Sequence, residues 1–185
     1  LPANDNVLHA LRLPPLYAIS HAAKYGVGEF MQRLAGALAH GVRLIQVREP
    51  DMPPADFAQF ARDVVAAAHA QGARVLISRD TQLARRIGAD GVHVSASQLL
   101  QMQQAPDTPM WAASCHDAHE LARAAELGAD FVVLSQVLPS ATHPGVAGIG
   151  WERFAALVQA YPVPVFALGG MRRESLETAM AHGAH

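Results

Sequence analysis

Disulfides, polybasic runs and long apolar stretches are absent from this sequence. With one cysteine, Cys115, there is no internal disulfide, which suits a reducing compartment, so the expected location is the cytoplasm. The 185 residues carry 14 basic and 16 acidic side chains, a net charge of −2. That balance provides no field for holding nucleic acid, and none is expected as a partner. Lysine is almost missing: Lys24 stands alone and arginine supplies the rest of the positive charge, which reads as coding bias. Pro, Gly or a charge breaks every apolar run well before the ~18 residues of a membrane span, so no membrane partner is expected. Ten histidines include no His-x-x-x-His pair or His/Cys cluster, so no metal ligands are assigned from spacing.

What is present is a rhythm. Short apolar, β-branched runs at Leu16–Ile19, Leu44–Val47, Val75–Ile77, Gly91–Val94, Trp111–Ser114, Phe131–Leu134 and Val163–Leu168 alternate with Ala-rich helical segments. Helices are expected over Glu29–Ala39, Ala55–Ala70, Leu83–Ile87, Ala118–Leu127, Trp151–Ala160 and Arg173–Ala181. The runs are nearly continuous, as in parallel strands covered on both faces. Strand–helix alternation indicates an α/β fold, and closure into a (β/α)8 barrel is the simplest way to remove sheet edges. The phrase Ile87-Gly88-Ala89-Asp90 returns as Leu127-Gly128-Ala129-Asp130, and its start returns at Ala181-His182-Gly183-Ala184-His185. The expected domain therefore runs over 14–185, ending before strand eight and its helix. Residues 1–13 are expected to form a linker or tail, with Asn4, Asp5 and Asn6 capping a short helix through Leu11. The start at Leu1-Pro2-Ala3, without methionine, reads as an excised piece.

In a parallel barrel the loops after the strand C-termini build the active face. Those positions hold Ser20 and His21; Gln46, Arg48 and Glu49; Ser78, Arg79 and Asp80; His93, Ser95 and Gln98; Ser114, Cys115, His116 and Asp117; Ser135, Gln136, Ser140 and Thr142; and Gly169-Gly170. Gly169-Gly170, with Ser140 and Thr142 as hydroxyl donors and Arg48 as a cation, points to a phosphorylated ligand. His116, beside Asp117, is the candidate acid or base. Cys115 is expected to point into packing.

In this order, these residues resemble the thiamine phosphate synthase/TenI family of small barrels. Ile45-Gln46-Val47-Arg48-Glu49 resembles the family's Q-x-R-E-K, and Leu76-Ile77-Ser78-Arg79-Asp80 its L-I-N-D-R. Gly88-Ala89-Asp90-Gly91-Val92-His93 matches directly, Ser114-Cys115-His116 resembles S-x-H, Pro139 to His143 resembles P-T-x-T-K, and Gly169-Gly170-Met171 resembles G-G-[IM]. The resemblance implies a thiazole phosphate bound by Gln46, Arg48, Ser114, Ser140, Thr142, Gly169 and Gly170, with His116 as acid/base. It also implies departures. Arg79 and Gln98 stand where the synthase has two magnesium carboxylates, Pro50 and His143 where it has lysines, and Ser78 where it has asparagine. A synthase must neutralise about three negative charges on departing pyrophosphate, which metal and cations do. The sequence therefore fits a TenI-type, metal-free proton transfer on a thiazole phosphate, with Arg79 as a fixed cation and no cofactor. Magnesium enters only if the chain is a working synthase. The alternatives are the synthase itself, and a non-catalytic module sensing a thiamine-related ligand. Residues Leu1 to Asn4 and Val7 to Pro14 resemble the join between an N-terminal Nudix (MutT-type) hydrolase and a barrel of this family, which makes such a domain an expected partner. Self-association is left open.

Overall fold

The computed structural model describes residues 13–140, 145 and 147–185. The short helix expected near Leu11 and the ligand role of Thr142 fall outside the described residues, as does His143. Within them the chain forms seven parallel strands in sequential order. These are β1 (Ala18–Ile19), β2 (Leu44–Val47), β3 (Arg74–Ser78), β4 (Gly91–Val94), β5 (Met110–Cys115), β6 (Phe131–Ser135) and β7 (Val165–Leu168). Eight helices run between and after them: α1 (Ala22–Tyr25), α2 (Val27–Ala39), α3 (Pro54–His69), α4 (Thr81–Ile87), α5 (Ala96–Gln101), α6 (Ala118–Glu126), α7 (Gly150–Val158) and α8 (Ser175–Ala181).

Two strands start later than the hydropathy suggests. Pro14-Pro15 and Pro162-Val163-Pro164 precede β1 and β7, and a proline has no N–H for the ladder. Pro164 contributes only its carbonyl, which accepts from Val132 N at 2.9 Å. Two helices escape the periodicity reading because they are short. α1 is a single turn, and α5 has six residues opened by a capping box in which Ser95 and Gln98 satisfy each other's backbone N–H.

Side chains alternate between the inside of the curl and the helix layer. Facing the helices, Ile45, Val47, Val75 and Ile77 pack with Phe60, Val64 and Leu83, while Val92, Trp111, Cys115, Val132 and Leu134 pack with Leu99, Leu121 and Phe154. Facing inward, Leu44, Leu76, Met110, Ala112, Phe131, Val133 and Phe166 form a separate cluster with Tyr17 against it. Tyr17, just before β1, meets the rings of Phe131 in β6 at 5.0 Å and Phe166 in β7 at 5.8 Å. The first and last strands of the sheet can share a contact only if it curls round on itself, so the α/β reading stands as a curled seven-stranded parallel sheet.

The repeated glycine phrase has one job at each occurrence. Gly88 and Gly128 close their helices at φ 69° and 75°, a region costly to residues with a Cβ. The following Asp90 pairs with Val75 through its backbone N–H (3.0 Å to the carbonyl) and its carboxylate (2.7 Å to the amide). Asp130 does the same with Trp111, at 3.0 and 2.8 Å. His185 holds the equivalent place beside β7: its N–H donates to Val165 O at 2.9 Å, and its imidazole Nε2 reaches Leu13 O at 3.0 Å.

Candidate functional site

Because all strands are parallel and consecutive, their C-terminal ends share one rim. The rim gathers Gln46 in β2 and Arg48 after it, Arg79 after β3, Ser114 and His116 at the end of β5, Ser140 after β6, and Gly169-Gly170 after β7. Above the aromatic floor of Tyr17, Phe131 and Phe166 the interior turns polar. Gln46 is buried on β2, His93 is 2% exposed on β4, and Ser114 is half-buried on β5.

A hydrogen-bonded file crosses this interior. Tyr17 Oη lies 3.1 Å from His93 Nδ1, and His93 Nε2 lies 2.8 Å from Ser114 Oγ. Burial, helped by the positive charge of Arg48, lowers the His93 pKa to about 3, so the imidazole is neutral. Burial raises the Tyr17 phenol well above its ordinary range. His93 was visible in the sequence only as one of several strand-end polar residues. Its inward position follows from strand alternation, since it shares a face with Gly91, but its partners come from β5 and the approach to β1.

His116 stands at the end of β5, 54% exposed at its side chain, with Nδ1 2.9 Å from Glu120 Oε2. The same oxygen accepts the His116 backbone N–H. Asp117, the sequence neighbour, instead caps α6 by accepting from Glu120 N at 2.9 Å. Glu120 is the orienting carboxylate that the sequence reading passed over. Its signal was the Asp117-Ala118-His119-Glu120 capping pattern, which returns the residue at the third helical position toward the chain entering the helix. A carboxylate accepting from Nδ1–H leaves Nε2 with the lone pair of a base. Cys115, between Ser114 and His116, faces the helix layer and is fully buried, and burial pushes its thiol up to about 12. As expected, it belongs to the packing.

Glu49, part of the Gln46–Glu49 phrase, turns away from the rim. Its carboxylate accepts from Ser20 Oγ at 2.7 Å and from the N–H groups of Ala22 (2.7 Å) and Ala23 (3.1 Å), which open α1. It anchors the loop after β1. Arg48 and Arg79 are exposed, and no carboxylate pairs with either guanidinium among the described residues. The rim therefore presents two uncompensated cations.

The two positions that the resemblance gives to metal carboxylates are adjacent. Gln98 Nε2 donates to Arg79 O at 3.1 Å, and its Oε1 accepts from Ser95 N at 3.1 Å. The Gln98 carboxamide is thus occupied by backbone. Asp80, the nearest carboxylate in sequence, caps α4 through Leu83 N at 2.8 Å. Among the described residues no group of three His, Cys, Asp or Glu could hold a metal. Magnesium prefers anionic oxygen donors, and this set of a guanidinium, a bonded carboxamide and a capping aspartate does not fit it. Arg79 also sits at φ 66°, the left-handed region, at a cost on the order of 1 kcal/mol for a residue with a Cβ.

Gly169 and Gly170 pack under the segment that follows β6. A Cβ at Gly169 would come within 2.5 Å of Gln136 Cγ, and one at Gly170 within 2.5 Å of Pro139 O. The glycines bring the loops after β6 and β7 into contact, with Leu138 N donating to Gly169 O at 3.1 Å. Ser140 follows directly, half-buried. α8 begins only at Ser175, so the helix does not open at the glycine pair.

Comparison with known proteins agrees with this architecture. The family described as thiamine monophosphate synthase (TMP-TENI) matches residues 16–185. The thiamine-phosphate synthase of Thioalkalivibrio sulfidiphilus is 30% identical over 179 residues, spanning 94% of this chain and 84% of that protein. That of Mycobacterium bovis is 34% identical over 172 residues, spanning 85% and 77%. Among solved structures, thiamine phosphate pyrophosphorylase from Pyrococcus furiosus superposes with a TM-score of 0.74 at 22% identity, covering 91% of this chain and 81% of that one. With its curled parallel sheet and a match running through all seven strands, the chain belongs to the thiamine monophosphate synthase (TMP-TENI) family.

Proposed function

We propose that this protein binds a phosphorylated thiazole at the rim and isomerises it by metal-independent proton transfer, a thiazole tautomerase-type reaction. The observation that carries this reading is His116, fixed by Glu120 at 2.9 Å two residues after Ser114, on a rim where, among the described residues, Arg48 and Arg79 meet no carboxylate and no group of three His, Cys, Asp or Glu could hold a metal. In this reading Ser140, Thr142, Gly169 and Gly170 hold the phosphate. Gln46, Arg48, Arg79 and Ser114 hold the rest of the ligand. His116 Nε2 takes a proton from a ring carbon, and the imidazolium returns one at another atom. Substrate and product are isomers, so no electrons are exchanged and no group leaves. Glu120 keeps Nε2 the basic nitrogen in the free enzyme and stabilises the imidazolium when it forms. The single cysteine suits the cytoplasm as the proposed location, and the resemblance of the first residues to a Nudix join makes a hydrolase domain the proposed covalent neighbour.

The names of the curated relatives favour a second reading, coupling of a pyrimidine diphosphate with thiazole phosphate. One experiment separates the two. The protein is assayed for isomerisation of a thiazole carboxylate phosphate in the presence of a magnesium chelator, and for coupling with magnesium added. The expected result is chelator-resistant isomerisation that falls roughly 10²–10⁴-fold in His116→Ala, with ligand affinity little changed. Magnesium-dependent coupling without isomerisation would overturn the proposal in favour of the synthase. Tight binding without either turnover would leave a sensing module.

A further inference from the structure

We infer that Tyr17 and His93 form a proton-ordered file that presents the Ser114 hydroxyl as a hydrogen-bond donor to the ligand, with His93 as its positioning residue. The inference deepens the proposed reading, since it rests on the rim being the place where the ligand lies.

A neutral imidazole has one N–H and one lone pair, and both ring nitrogens of His93 face a hydroxyl, Tyr17 Oη at 3.1 Å and Ser114 Oγ at 2.8 Å. Two arrangements satisfy the ring. In one, the Tyr17 O–H donates to Nδ1, Nε2–H donates to Ser114 Oγ, and the serine proton is free to point elsewhere. In the other, Ser114 donates to Nε2, Nδ1–H donates to the phenol oxygen, and the phenol proton needs an acceptor of its own. Tyr17 is enclosed by rings: Phe131 at 5.0 Å, Phe166 at 5.8 Å, and His93 itself, stacked at 5.7 Å. Tyr17 is half-buried, and no described carbonyl or carboxylate accepts from its hydroxyl, which leaves His93 Nδ1 as the acceptor its proton has. A phenol is also a stronger donor than an aliphatic hydroxyl. Both considerations select the first arrangement.

Ser114 then has one direction left for its proton. Its oxygen accepts from His93 below, and the side chain is half-buried at the end of β5, level with the rim. A ligand there meets a hydroxyl whose proton is already turned outward, suited to a phosphate, carboxylate or ring-nitrogen acceptor. Burial of His93, with the Arg48 charge as the lesser cause, keeps a second proton off the ring, so the file keeps its polarity. Tyr17, 76 positions away in sequence from His93, thereby acts on the ligand without touching it.

The tautomer can be read without any ligand. In the protein labelled with ¹⁵N-histidine, the resonance that Tyr17→Phe perturbs is expected to be a neutral Nε2–H imidazole that does not titrate between pH 5 and 8. A Nδ1–H tautomer, or titration near neutrality, would overturn the inference. The second arm measures binding of thiazole phosphate by calorimetry. Ser114→Ala should weaken it roughly tenfold, the worth of about one hydrogen bond. Tyr17→Phe should weaken it less, about threefold, and add nothing when Ser114 is already alanine. Full additivity of the two losses also overturns the inference. If the wild-type protein binds no thiazole phosphate, the proposed function fails, and the imidazole tautomer alone then decides the file.

Discussion

Buried His93 is the residue that couples folding to acidity. Its ordinary pKa near 6.5 drops to about 3 in the fold, so below about pH 6.5 the unfolded chain binds a proton that the folded chain refuses. The neutral-His93 fold therefore keeps its full advantage above that pH and loses it progressively as the pH falls towards 3. The slope is about 1.4 kcal/mol per pH unit while only the unfolded form titrates. Urea midpoints measured at pH 7, 6, 5 and 4 are expected to fall accordingly, and His93→Gln, which cannot titrate, should flatten that dependence. At this scale the sequence displayed Ser114, His116, Arg48 and Gln46 as polar residues at strand ends, because strand-end positions are legible once strands are. Which carboxylate serves His116 was not legible. Asp117 is adjacent in sequence, but backbone geometry turns it into a helix cap and folds Glu120 back instead.

Among the elements, the glycine phrase is the most informative repeat. Gly88-Ala89-Asp90 and Gly128-Ala129-Asp130 each end a helix and tie the entering strand to its neighbour through a carboxylate on a backbone amide. Asp90→Ala and Asp130→Ala should each cost about 1.5–3 kcal/mol, the range of a hydrogen bond to a charged group. The pairs share no partner, so the double variant should lose roughly the sum. Chemical denaturation of the four proteins checks both statements. A larger penalty belongs to the contact between the loops after β6 and β7. Gly170→Ala would drive a Cβ to 2.5 Å from Pro139 O at φ 66°, so the melting temperature should fall, and thiazole phosphate binding with it. The repeat and the glycine pair are legible in chain order alone. α1 and α5 are not, since four and six residues cannot display a helical period.

For the molecule as a whole, the curl makes two cores of unlike purpose. The outer layer holds helices to the sheet, while the inner cluster of Leu44, Leu76, Met110, Phe131 and Phe166 closes the space under the rim and supports Tyr17. Phe131 is fully buried, and Phe131→Ala should destabilise the fold by about 3–5 kcal/mol in denaturant titrations. It should also broaden the His93 imidazole resonance by freeing the phenol above it. At the open side of the curl, His185 joins β7 through its N–H and the approach to β1 through its ring. The first and last described parts of the chain thus meet at one seam.

The sequence by itself determined the strand–helix alternation, the parallel order and the rim on which the polar residues gather. Each of these depends on residue type at local spacing, and local spacing survives without coordinates. Only the tertiary structure decided that Tyr17 lies under His93, that His93 lies under Ser114, that Glu49 and Asp117 serve the backbone, and that Arg79 and Gln98 are adjacent. Apart from the local cap of Asp117, these contacts join residues from separate strand–helix units, and the distance between such units is set by how far the sheet curls.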